Sequence, residues 1–166
     1  MSSPLDNWSP DTKATCFRRF AQDLKEQSKG VFLRDGHHGE MFFFVSDDGR
    51  AAVMPAPADM DRDKMVDQLR QQVRENNIYG LVHISESWSY FRQKPGDHTM
   101  KQIMEGEIAV SELRPEDRDE ALAVMMETRE GAHFMWITPI LRDGDVVTLG
   151  ETLAFPDKTG TTCRTC

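Results

Sequence analysis

Glu86 lies in the stretch His83-Ile84-Ser85-Glu86-Ser87-Trp88-Ser89-Tyr90-Phe91, which reads as a strand. Side chains alternate along a strand, so Val82, Ile84, Glu86, Trp88 and Tyr90 share one face. An ionisable carboxylate therefore sits between an isoleucine and a tryptophan, a setting that suits acid–base work or recognition. The competing expectation is a strand-end glutamate near water, or one paired with Arg114, Arg118 or Arg142. Burying an unpaired carboxylate is costly, which favours pairing or exposure. His83 shares the opposite face with Ser85, Ser87 and Ser89. No G-x-S-x-G elbow surrounds any of these serines, so a polar strand face is expected there rather than a Ser–His pair.

His37 and His38 adjoin Glu40 in a turn. Adjacent strand residues point apart, so the two histidines make a poor pair of ligands for one metal. His38 and Glu40, two apart, could bind zinc with His83 or His133, and stand as weak metal candidates. Asp59-Met60-Asp61-Arg62-Asp63 mimics the opening of a calcium loop. Lys64 and Arg70 occupy the positions where glycine and glutamate are needed, so the acids are read as favourable charge at a helix start. Cys163-Arg164-Thr165-Cys166 lacks the further ligands of a zinc site and the helix N-terminus of a redox pair. The residue sets of nucleotide deaminases and of JAMM-type isopeptidases are both incomplete. No phosphate-binding glycine loop occurs, and no catalytic residue or cofactor is assigned.

The elements that must position these residues are read from periodicity and breakers. Ser9-Pro10-Asp11 marks a helix start; Ala14, Phe17, Ala21 and Leu24 form its stripe, and Gly30 is its expected end. Strands are expected at 31–35, 40–46 and 50–55, the first two joined by Gly36–Gly39. A second helix is expected from about Asp61 to Asn76, with Met65, Val66, Leu69 and Val73 inward. Strands follow at 81–91, 120–130, 132–142 and 146–155, with a long polar connection at 92–118. The fold class is therefore α+β: a mainly antiparallel sheet of six to seven strands with two helices, ordered α-β-β-β-α-β-β-β-β. Residues 1–9 are expected to be a flexible lead-in, 10–155 one domain, and 156–166 a disordered tail.

Net charge is −8, which argues against nucleic acid or anionic membrane as partner. The acidity is local, with nine acids against three arginines between Glu105 and Glu130. No leader or membrane-spanning run is visible and three cysteines make no disulfide framework, so a cytoplasmic location is expected.

Several strands are apolar on both faces, among them Phe42–Val45, Leu122–Met126 and Phe134–Ile137. Two helices of this length cannot cover both faces of so wide a sheet, so it must curl on itself or meet another chain. Pro139 is expected at a sheet edge.

Ser85-Glu86-Ser87-Trp88, then Arg114-Pro115-Glu116-Asp117-Arg118-Asp119-Glu120, and finally Pro139-Ile140-Leu141-Arg142, resemble a loose group of uncharacterised bacterial and phage small proteins. In that group an E-x-W strand precedes a P-x-D-R-x-E strand start. The resemblance covers about residues 80–152, with Ser87 where the group usually has alanine, and it implies no activity. It points to Glu86, Trp88, Asp117 and Arg118 as ligand or partner candidates. The expected function is a non-catalytic, self-associating domain binding a protein or small ligand. The alternative is a hydrolase, metal-dependent in one form, using Glu86 with His38 and His83.

Overall fold

The computed structural model describes residues 3–57, 59–90, 96 and 98–156. The C-terminal tail from residue 157, with Cys163 and Cys166, lies outside them. The fold is α+β, with seven antiparallel strands and helices packed on the sheet. In chain order the elements are α1 (Lys13–Asp35), β1 (Met41–Ser46), β2 (Ala51–Pro55), α2 (Arg62–Glu75), β3 (Ile78–Ser89), α3 (Thr99–Met104), β4 (Asp119–Thr128), β5 (His133–Asp143), β6 (Val146–Leu149) and β7 (Leu153–Pro156). The strand order is β2-β1-β3-β4-β5-β6, with β7 also paired to β5. The path has two ends, so the sheet is open rather than closed into a barrel.

α1 is longer than its sequence suggests. It runs through Gly30 and absorbs residues 31–35, which read as a strand, and stops at Gly36, whose φ is 75°. The buried stripe Phe17, Ala21, Leu24, Ser28, Phe32 shows why. Burying Phe32 is worth about 2 kcal/mol, more than the about 1 kcal/mol that a mid-helix glycine costs. Residues 36–40 are thus a helix-to-strand loop, not a hairpin turn. The helix also starts later than Ser9 suggests, at Lys13; the Ser9 carbonyl accepts from the N–H groups of Thr12 and Lys13. Residues 4–7, expected to be loose, form a short 3-10 turn, and Trp8 packs edge-on against Tyr79 with ring centroids 5.4 Å apart.

One sheet face carries Val45, Val82, Ile84, Leu122, Val124, Met126, Trp136 and Ile140, all buried beneath Phe17, Ala21, Leu24 and Phe32 of α1. The opposite face carries Phe42, Phe44 and Leu81, covered by Met65 and Leu69 of α2. α2 is capped by Asp61, whose carboxylate accepts from the N–H groups of Asp63 and Lys64. Val73, expected inward, is 40% exposed; Met65 and Leu69 make the contact of α2 with the sheet. Thus Phe42 and Phe44 are buried and Phe43 partly so, with one helix on each face rather than two on one.

Pro139 lies inside the sheet, not at its edge. It falls where the outer neighbour of β5 changes from β6, which pairs with Ile140–Asp143, to β7, which pairs with Phe134–Ile137. Its carbonyl accepts from the Gly150 N–H, so the missing Pro N–H faces this break in the ladder. Among the described residues, no helix is long and apolar enough to cross a membrane.

Candidate functional site

The end of β3 and the loop before β1 enclose a cleft of about 530 Å³, lined by His37, His38, Gly39, Glu40, Arg62, His83, Ser85, Glu86 and Ser87. Residues far apart in sequence meet here because β1 and β3 are antiparallel neighbours, with Met41 opposite Ile84. Loop 37–40 therefore continues β1 backwards past the last residues of β3. Glu86 is exposed, and its carboxylate accepts a hydrogen bond from the backbone N–H of His38. Arg142 instead pairs with Glu120 at 2.7 Å, and Arg114 with Asp117 at 2.9 Å.

On the other side of the cleft, His83 Nε2 lies 2.7 Å from Glu40 Oε1. The His83 ring stacks on Phe42, with centroids 4.4 Å apart and planes within 5°. His38 turns Nδ1 to the carbonyl of Gly39 at 2.7 Å. The structure thus brings Glu86, His38, His83 and Glu40 to one place while engaging each with an internal partner. Among the described residues, no three His, Cys, Asp or Glu side chains are arranged to hold a metal ion. Of the weak metal candidates, Glu40 and His83 share a hydrogen bond and His38 contacts the Gly39 carbonyl.

Trp88 and Arg118 also meet. Arg118 lies over the Trp88 ring at 4.0 Å from its centroid and donates from one terminal nitrogen to the Ser111 carbonyl. Among the described residues, its buried Nε has no hydrogen-bond partner. Asp117 turns away to Arg114. Trp88 stays 44% exposed. Arg62 and His37, which sequence reasoning did not single out beside Glu86, enter the cleft only because α2 and the end of α1 converge on it.

The second feature is a surface. α2 covers β1 and β3, and the face beyond them carries Ala123 and Met125 on β4, Met135, Ile137, Pro139 and Leu141 on β5, and Leu153 and Phe155 on β7. Leu141, Val146, Leu153 and Phe155 are among the exposed large hydrophobic residues. The signal for it is in the sequence: β5 is apolar at both parities, so one set must face away from α1.

An open antiparallel sheet carrying one long helix on one face and a shorter one on half of the other defines the class of this protein. The chain belongs to the family described as bacteriophage lambda protein ea47, whose sequence profile matches residues 9–163. No curated protein and no solved structure matches it.

Proposed function

We propose that this is a non-catalytic, self-associating cytoplasmic domain that binds a protein or small ligand. The observation that carries this reading is the uncovered half of a sheet face, where side chains such as Leu153 and Phe155 stand 40% and 44% exposed. Monomeric proteins rarely leave so continuous an apolar area in water. The groups that could do chemistry are engaged internally, Glu86 with the His38 N–H and Glu40 with His83. Cys16 is a buried free thiol, which suits a reducing compartment. Sedimentation velocity at micromolar concentration is expected to show a species of twice the chain mass; a monomer at every concentration sinks the reading.

A second reading rests on the meeting of Glu86, His38, His83 and Glu40 in one cleft. It is a hydrolase with Glu86 as acid–base and the histidines as partners or metal ligands. Metal analysis of the purified protein separates the two readings, because a stoichiometric transition metal would favour the hydrolase.

A further inference from the structure

We infer that the uncovered half of the sheet binds a second copy of this chain through the same patch, face to face about a two-fold axis. This rests on the self-association reading and names its surface. Strand register aligns the patch in rows. Phe155 lies opposite Met135, Met135 opposite Met125, and Met125 opposite His83; one step along, Leu153 lies opposite Ile137 and Ile137 opposite Ala123. Directly paired residues share a face, so these rows form one continuous apolar layer three strands wide. Leu141, 53% exposed, extends it along β5.

The charge pattern selects a second copy as the occupant. The two rows carry no charged residue on β4, β5 or β7, whereas the chain as a whole is at −8. Two such patches can meet without like-charge repulsion, while a basic partner would be drawn to the acidic span 105–130 instead. A patch that contacts itself also closes as a dimer and leaves no apolar surface for further growth.

Sedimentation equilibrium of the full chain tests this with F155K and L153K, both at sites exposed enough to keep the monomer folded, and with V53K on the opposite edge strand β2. The expected result is a wild-type dimer that F155K and L153K each weaken by about tenfold or more and V53K leaves intact. Circular dichroism checks that each variant is folded. Hydroxyl-radical footprinting of the unmodified chain supplies a readout free of any substitution: Met135 and Phe155 should be protected as concentration rises, and Leu33 should not. A dimer that ignores F155K and L153K and is dissolved by V53K, or whose footprint spares Met135, overturns the face-to-face arrangement while leaving self-association standing. A wild-type monomer throughout overturns both.

Discussion

The backbone N–H of His38 donates to the side-chain carboxylate of Glu86, 48 residues away in sequence. That bond fastens the loop between α1 and β1 to the far end of β3. It also gives Glu86 a structural role that requires an acceptor oxygen rather than a negative charge.

Glu86→Ala should therefore cost about 1 kcal/mol in urea denaturation, the net worth of one hydrogen bond. Glu86→Gln, which keeps an acceptor, should lose less than half of that. Equal losses in the two variants would show that charge, not the bond to His38, is what the site uses.

Gly80 sits beneath the ring of Phe17, and a Cβ built there would lie 2.4 Å from Phe17 Cζ. Phe17 is fully buried and packs edge-on against Tyr79 at 5.8 Å, so it has little room to retreat. Gly80→Ala is expected to destabilise the fold by about 2 to 3 kcal/mol. In a Phe17→Leu background the same change should cost clearly less, since the two sites touch. Additive losses would refute the contact.

Tyr79 is buried, and its hydroxyl donates to Glu130 Oε2 at 3.1 Å. Burial first, then that hydrogen bond and the Glu130 charge, push the phenol from 10.0 up to about 12. The folded state then holds a proton that the unfolded chain releases above 10.0, so this contribution is fully present below pH 10 and is lost between pH 10 and about 12. The slope is at most about 1.4 kcal/mol per pH unit. Denaturant melts over that range should show the decline in the wild type and a smaller one in Tyr79→Phe. Identical slopes would count against the shifted phenol.

Arg118 stacks over a Trp88 that is otherwise open to solvent. Arg118→Ala should raise the fraction of tryptophan fluorescence that iodide quenches, while the buried Trp136 stays protected. The stability loss should be about 0.5 to 1 kcal/mol. Unchanged quenching would mean that Arg118 does not shield the ring.

Much of the fold was legible because periodicity reports burial directly. The second helix and the strands at 81–91, 120–130 and 132–142 match α2, β3, β4 and β5 to within a few residues. The 31–35 segment misled because glycine at position 30 is a local signal, whereas Phe32 gains its burial only from a sheet that forms later in the chain. Pro139 misled for the same reason: its missing N–H is harmless at any gap in a ladder, and the gap is made by Gly150–Thr152 far downstream.

The amino-acid order alone determined that this chain builds a mainly antiparallel sheet with helical cover and more apolar strand surface than two helices can hide. Alternation and helical spacing are local, so they survive without coordinates. Only the tertiary structure decided which half of which face stays open, that Glu86 holds the His38 N–H, and that His83 meets Glu40. Those facts depend on strand register between segments some 40 residues apart, which no local pattern encodes.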